Sequence, residues 1–466
     1  MADLSLHEDS AAMRDVASSA GVAPVISIVI PSHNRQDLLE RVLDALAAQD
    51  EGTPAFEVVI VLDGCRDGSP EMLAARSDPF AVRSLRLPGV GPSMARNAGV
   101  AETRADLLVF IDDDVIPTSG LVAAHAAAHA KLPGAVVIGP YPPEPIASGQ
   151  RFRQVSRDWW EEHFNDLAKP GARITYQDLL TGNLSMTRAL WDAVGGLDPQ
   201  FSRAREDWEL GYRLMEHGAP FVYAPEALGW HQEHLTATEG TSLKRAREEG
   251  RSDALMAIKH PKLARSHSVP RQMRKRGLVN RLRAAILPRA KLLEKPVMAA
   301  GPGLLTLLEK AGLLGLRTKV RHQMILFCYQ RGSLEVLGRD VATFGTGDLG
   351  QQSDAPLEID IAKGMDQAEA VLAQHRPQAL RLRYGDEVLA DLAFTPAAEA
   401  WNAQHLRALL MRPGIARKLA PILAAQRFGG TAEEWRKRES MRLIGVPDFL
   451  AQLHEGQRQW RRSLDQ

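Results

Sequence analysis

The sequence predicts an α/β protein built on a mostly parallel, doubly wound sheet. Two observations carry that expectation. Apolar, β-branched runs recur along the first hundred residues as VISIVIP (Val25–Pro31), FEVVIVLDG (Phe56–Gly64) and DLLVFID (Asp106–Asp112). Segments with helical spacing, such as QDLLERVLDALAAQ (Gln36–Gln49), stand between them. Runs that are apolar throughout belong to strands covered on both faces, the condition of a parallel sheet under helices. Ligands of such sheets bind at the carboxyl ends of the strands. His33-Asn34-Arg35, Asp63-Gly64 and Asp112-Asp113-Asp114 stand at those ends.

The elements follow in order. Residues 1–23 are polar and rich in Ala and Ser, and read as a flexible tail. Val25–Pro31 is a buried strand closed by proline, Gln36–Gln49 an amphipathic helix, and Phe56–Gly64 a second buried strand. A short strand is expected near Val82–Leu87, a helix over Met94–Thr103, and a strand over Asp106–Asp112. Past Gly120 come a helix through His125–Lys131, a strand at Ala135–Pro140, and a Trp- and Arg-rich segment, Arg151–Phe164, suited to face an acceptor. Thr181–Gly196 reads as strand then helix. Arg205–Gly218 is a helix with Gly218 as its C-cap, and Pro220–His231 is strand and loop.

At 466 residues, the chain exceeds one ordinary domain. The expected division is a catalytic domain over 24–255, a basic and apolar helical region over 256–344, a linker over 345–355, and an accessory α/β domain over 356–466. Lys plus Arg and Asp plus Glu both number 57, so total charge selects no partner. Yet residues 244–291 hold fifteen Lys/Arg against three Asp/Glu, a block suited to peripheral contact at the inner face of a membrane. No motif in it supports nucleic acid as a partner. Two distant cysteines exclude a disulfide framework and favour a reducing compartment. The acidic start lacks a signal-peptide core, and no stretch reaches about 18 uninterrupted apolar residues, so a cytoplasmic location is expected. The C-terminal domain, with a hairpin about Gly385-Asp386, reads as an acceptor-binding or dimerisation module, which makes a homodimer an expectation.

Several segments carry chemistry. FIDDDVIP (Phe110–Pro117) crowds three carboxylates after an apolar run. An acidic loop before a helix would accommodate them. So would a site for Mg²⁺ or Mn²⁺, which take carboxylate oxygens together with substrate phosphates. Strand alternation would aim Asp112 and Asp114 one way and Asp113 the other. Asp63 sits in a turn, or accepts hydrogen bonds from a base or ribose. GVGPSMARNAG (Gly89–Gly99) is glycine-rich, but Met94 breaks the dinucleotide-binding spacing. Its Arg96 and Asn97 would instead reach a diphosphate from a helix start. Glu206, Asp207 and Glu209 form a solvated helix face or, at the sheet edge, offer Asp207 as a general base. His231 and His234 suit a surface or core, or near a metal a neutral imidazole ligand.

Taken in order, IVIPSHNR (Ile28–Arg35), VIVLDGCRDGS (Val59–Ser69), GPSMARNAG, VFIDDDVIP, Gly182-Asn183, Gly195–Asp198 and EDWELGYRL (Glu206–Leu214) resemble the family 2 glycosyltransferases. The resemblance covers roughly residues 24–255. It implies a GT-A fold, a nucleotide-diphospho-sugar donor, Mg²⁺ or Mn²⁺, and inverting transfer to a carbohydrate, lipid-linked or other hydroxyl acceptor. It places Pro31, His33 and Arg35 near the base and phosphates, Asp63 on the base or ribose, and Arg96 on the nucleotide. Asp112 and Asp114 match the ends of a DxD motif and should face the donor and metal, with Asp114 as metal ligand; Asp113, which alternation points away, is counted with them among the donor-binding candidates. Asp207 matches the catalytic base, preceded by Glu206 beside the donor, and His231 a metal- or diphosphate-binding histidine. DGCRDGS departs from the tighter Asp-Asp or Asn-Asp-Gly-Ser of many members, and the chain beyond about residue 255 aligns with no part of the core. A sugar-phosphate nucleotidyltransferase would need a glycine-rich basic loop where PSHNR stands. A non-catalytic nucleotide-sugar-binding or scaffold protein is opposed by retention of both the metal acid and the base.

Overall fold

The computed structural model describes residues 23–145, 151–232, 235, 237–263, 290–338 and 355–437, with residues 14–16 and 151–156 as backbone. Most of the expected tail and linker, His234, and residues 264–289 of the basic block lie outside these. The chain forms two compact units: Met1–Asp166 with Ile174–Gly350, and Leu167–Arg173 with Gln351–Gln466.

The first unit is built on an eight-stranded sheet. In chain order its strands are β1 (Arg14–Val16), β2 (Ile26–Ser32), β3 (Phe56–Asp63), β4 (Ala81–Leu87), β5 (Leu107–Ile111), β7 (Val136–Ile138), β8 (Asn183–Thr187) and β9 (Phe221–Tyr223). A two-stranded ribbon, β6 (Val115–Pro117) with β10 (Gly229–His231), stands apart from it. The sheet order is β1-β4-β3-β2-β5-β8-β7-β9. The β4-β3-β2-β5 core is parallel, with Ile28 opposite both Val58 and Val109. Strand β8 then runs antiparallel between β5 and β7. This is the mostly parallel, helix-flanked sheet expected from the sequence. Its central strands are apolar throughout because both faces are covered: Ile28, Val29 and Ile30 are fully buried, as are Val58, Ile60 and Val61. Strand β1, inside the expected tail, adds an antiparallel edge along β4.

Helices α1 (Gln36–Ala47), α2 (Ser69–Ala75), α3 (Pro92–Ala101) and α4 (Leu121–Lys131) follow the parallel strands. Leu39, Val42, Leu43 and Leu46 line the buried side of α1, the stripe read from its leucine spacing. Helix α3 lies so close to the sheet that a Cβ at Gly99 would stand 2.6 Å from Val29 Cγ1. Helices α5 (Arg151–Leu167), α6 (Arg188–Val194) and α7 (Glu206–His217) complete this part, and α7 closes on Gly218 in the left-handed conformation. Phe110 of β5 stacks on Trp191 of α6 with ring centroids 4.9 Å apart.

Among the described residues of the first unit, three long helices follow: α8 (Glu239–Lys259), α9 (Lys291–Lys310) and α10 (Leu314–Leu337). Helices α8 and α10 meet backbone to backbone. A Cβ at Gly250 would lie 1.9 Å from the Tyr329 carbonyl oxygen, and one at Gly332 would lie 1.8 Å from that of Arg247. The second unit has strands β11 (Leu357–Asp360), β12 (Leu380–Tyr384) and β13 (Glu387–Leu392). Its helices are α11 (Met365–His375), α12 (Ala403–Met411), α13 (Pro413–Phe428) and α14 (Ala432–Lys437). Its core gathers Leu372, Leu380, Leu382, Leu406 and Ala416. Strands β12 and β13 form the expected hairpin across Gly385 and Asp386.

The glycine contacts make a prediction. Gly250→Ala or Gly332→Ala forces two helix backbones apart and should lower stability by roughly 1–3 kcal/mol in urea unfolding. Gly303, inside α9 with no neighbour within 4 Å of an added Cβ, is the control: Gly303→Ala should gain about 0.5–1 kcal/mol from helix propensity. Equal midpoints for Gly332→Ala and the wild type would show that the close packing is not required.

Candidate active site

The carboxyl ends of β2, β3 and β5 bring the expected residues to one edge. Strand β5 ends at Ile111, and the Val115 N–H donates to the Asp112 carbonyl across a turn. Simple alternation therefore does not hold through the triplet. Asp112 turns toward α3 and donates its N–H to the Gly182 carbonyl at 3.2 Å. Asp113 and Asp114, both buried, face the same cation. Arg35 Nη1 donates to Asp113 Oδ1 at 2.7 Å and to Asp114 Oδ2 at 2.9 Å. One guanidinium thus offsets the repulsion between two adjacent carboxylates.

The two acids differ in charge state. Burial pushes the Asp113 carboxyl up to about 6, against the pull of Arg35 and with the Asp114 charge adding to the rise. Burial acts on Asp114 too, but the attraction of His231, followed by that of Arg35, holds it down at about 2. The antiparallel ribbon explains that partnership. Val115 of β6 pairs with His231 of β10, which sets His231 Nε2 3.6 Å from Asp114 Oδ2. The rings of Tyr141 and Trp160 meet His231 edge-on at 5.6 and 5.4 Å. The sequence singles out the Trp-rich segment that holds Trp160 but neither its contact with His231 nor Tyr141, because these contacts carry no periodic signal.

Arg96 is the second centre. Helix α3 presents it fully buried between Asp112, with which it hydrogen-bonds, and Glu206, 3.7 Å from its Nη1. It therefore ties the sheet edge to the first turn of α7. Asp207 stands beside Glu206, half-buried, and its Oδ1 accepts from the Trp208 N–H at 2.8 Å. Burial first, and the neighbouring Glu206 charge second, push its carboxyl up to about 7. A carboxyl at that value can accept a proton at neutral pH and release it again.

Other expected residues are placed as follows. Asp63 is buried and accepts three backbone N–H bonds, from Gly89, Val90 and Gly91 at 2.7–2.9 Å. Both of its oxygens thus hold the loop before α3, in which Gly89 and Gly91 have positive φ. Pro31 lies within β2 opposite Val61. His33, exposed, meets the Asp63 carbonyl through Nδ1 at 2.5 Å and Asn34 through Nε2. Asn183 ties the Pro140 and Ala227 carbonyls together and contacts the buried His125.

A network behind Asp207 was also not apparent in the sequence, because its members lie far apart in the chain. Arg205 precedes α7 in the left-handed conformation, φ 65°. Its guanidinium stacks over Trp208 at 3.6 Å and donates from Nε to Asp253 of α8 at 3.0 Å. Tyr329 of α10 donates to the other Asp253 oxygen at 2.5 Å. Three helices are thereby joined at the turn that carries Asp207.

Among the described residues no three metal-ligating side chains converge. Asp114 and His231 form a pair instead. The carboxylate suits a hard cation whose remaining ligands would be phosphate oxygens and water, and the imidazole is the softer donor of the two.

The model of the family described as "Glycosyl transferase family 2" matches residues 27–193. Over 257 residues the chain is 30% identical to validoxylamine A glucosyltransferase of Streptomyces hygroscopicus subsp. limoneus, covering 49% of this chain and 56% of that protein. It is 25% identical to the chondroitin synthase of Pasteurella multocida (strain Pm70), covering 52% of this chain and 28% of that one. The chain thus spans about half the length, or less, of these curated relatives. The solved mannosyltransferase PcManGT from Pyrobaculum calidifontis, in complex with GDP-Man and Mn²⁺, overlaps 69% of this chain and 90% of its own at 19% identity, with a TM-score of 0.45.

The network behind Asp207 yields a prediction. Asp253→Ala removes the carboxylate to which both Arg205 and Tyr329 donate, and should cost up to the roughly 3–5 kcal/mol of a broken buried pair. Tyr329→Phe removes one hydrogen bond and should cost about 1 kcal/mol. Equal losses in denaturant unfolding would show that the Arg205–Asp253 pair contributes nothing. The family model thus falls on residues 27–193, the stretch that carries Arg96, Asp114 and Asn183.

Proposed function

We propose that this chain transfers a sugar from a nucleotide-diphospho-sugar to a hydroxyl acceptor with inversion at the anomeric carbon, Asp207 acting as general base. One observation carries the reading. Arg96 joins the Asp112 edge of the sheet to the first turn of α7, so an acid at about 7 stands next to the Arg96–Asp112–Glu206 cluster at the sheet edge. The glucosyltransferase and synthase relatives support a transferase.

In this mechanism Asp207 takes the proton of the acceptor hydroxyl as its oxygen attacks the anomeric carbon in line. The new C–O bond forms as the bond to the nucleoside diphosphate breaks, and the leaving group keeps the electron pair. Arg96 and Arg35 place positive charge on the donor side, where negative charge develops on the diphosphate. His33, Pro31 and Asp63 shape the base and ribose end, the last through the loop it holds. Asp112, Asp113 and Glu206 keep the two arginines in place. Asp114 and His231 would hold Mg²⁺ or Mn²⁺, which when bound offsets charge on the departing diphosphate.

Two predictions follow from these roles. A base must be deprotonated, so kcat/KM should rise with pH through about 7 and level off above it. Asp207→Asn should lose about 10²–10⁴-fold in turnover while still binding donor. Near-normal nucleotide release by that variant would remove the base assignment. Across a panel of nucleotide sugars, chelation should abolish release, and Asp114→Ala should weaken donor binding in Mn²⁺ but not without it. Full activity of the wild type in EDTA would overturn the metal role, and silence with every donor the transferase reading itself.

A further inference from the structure

The helical region turns an apolar face to solvent. At about 100° per residue, Leu292, Leu293, Leu304 and Leu307 fall on one side of α9, with Pro296, Ala300 and Gly303 among them. Leu292 is 87% exposed and Leu307 64%. The turn into α10 adds Leu313, Leu314 and Leu316, each at least 40% exposed. The packed side of the same helix is made of smaller contacts: Gly301 against Met324, and Leu305 in a cluster with Leu243 and Cys328. Helix α9 thus buries one leucine and presents four. Single exposed leucines are ordinary, but a contiguous row is not.

The acids of this region are paired, whereas several lysines are not. Glu294 is taken by Arg247 and Arg331, and Glu309 by Arg317. Lys291, Lys295, Lys310 and Lys319 are exposed, and among the described residues none of them has a carboxylate partner. The sequence immediately before α9, residues 264–289, carries eight Lys/Arg and no acid. Among the described residues, Lys291, Lys295 and Lys310 thus put unpaired positive charge on the helix that carries the apolar row. A second copy of the chain docked on this face by a two-fold axis would set lysine against lysine, an unfavourable arrangement. A surface that is negative at its boundary and apolar beneath meets both features. No helix among the described residues is long and apolar enough to cross a membrane, so the contact lies along the surface.

We propose that α9 and the α9–α10 turn rest on an anionic lipid bilayer, leucines at the acyl boundary and lysines among the headgroups. An adjoining open cleft of about 320 Å³, lined by Val297, Val320, Met324 and Phe327 together with Lys319 and Gln323, lies beside them. The proposal does not rest on the transfer reaction.

The test uses the full chain in vesicle flotation, with phosphatidylcholine alone and with added phosphatidylglycerol, at low and high salt. The wild type should float with the anionic vesicles at low salt and separate from them at high salt. Leu304→Ser/Leu307→Ser and, separately, Lys291→Ala/Lys295→Ala should each weaken binding tenfold or more, with unchanged circular dichroism. Binding that survives both double variants, or no binding to anionic vesicles, overturns the proposal. So does a dimer in sedimentation velocity that the leucine variant abolishes, because the face would then be a contact between copies.

Discussion

Arg96 is a guanidinium buried at the meeting point of a sheet edge and a helix start, and a buried charge must be neutralised where it lies. Asp112 does so from the end of β5 and Glu206 from the first turn of α7. That requirement ties the first turn of α7, where Asp207 stands, to the sheet edge. It also explains why β5 gives up alternation at Ile111. Asp112 has to turn toward α3, and the chain that follows carries Asp113 and Asp114 round to Arg35.

The site as a whole is a balance of charges among buried and partly buried groups. Asp114 stays ionised because His231 and Arg35 both face it, whereas Asp113, with Arg35 shared and Asp114 adjacent, is pushed up. Asp207 rises for the same reason as Asp113, burial beside a like charge, but it lacks a comparable hydrogen-bonded cation. Neighbouring carboxylates thus reach different protonation behaviour through their surroundings alone. Deeper in α7, Glu209 shows the opposite extreme. It is buried yet held at about 2 by His260, Arg213 and Lys259.

The helices beyond the matched segment are joined to this balance. Gly250 and Gly332 let α8 and α10 close on each other, which brings Tyr329 to Asp253 and Asp253 to Arg205. The same bundle holds α9 by one narrow side and leaves its leucines outward. Support for the turn carrying Asp207 and an outward apolar face are thus two sides of one packing arrangement.

By itself the sequence determined the alternation of strands and helices, the parallel core, the C-cap at Gly218, the hairpin at Gly385-Asp386 and the identity of most charged groups at the strand ends. Those features depend on local periodicity and turn chemistry, which neighbouring residues carry. The direction of Asp113, the capture of Asp63 by the backbone of Gly89–Gly91, the aromatic walls at His231 and the Arg205–Asp253–Tyr329 link were decided only in the tertiary structure. Each joins residues dozens to more than a hundred positions apart. Where a side chain's partner comes from a distant element, packing and charge neutralisation select it, and the spacing along the chain holds no record of that choice.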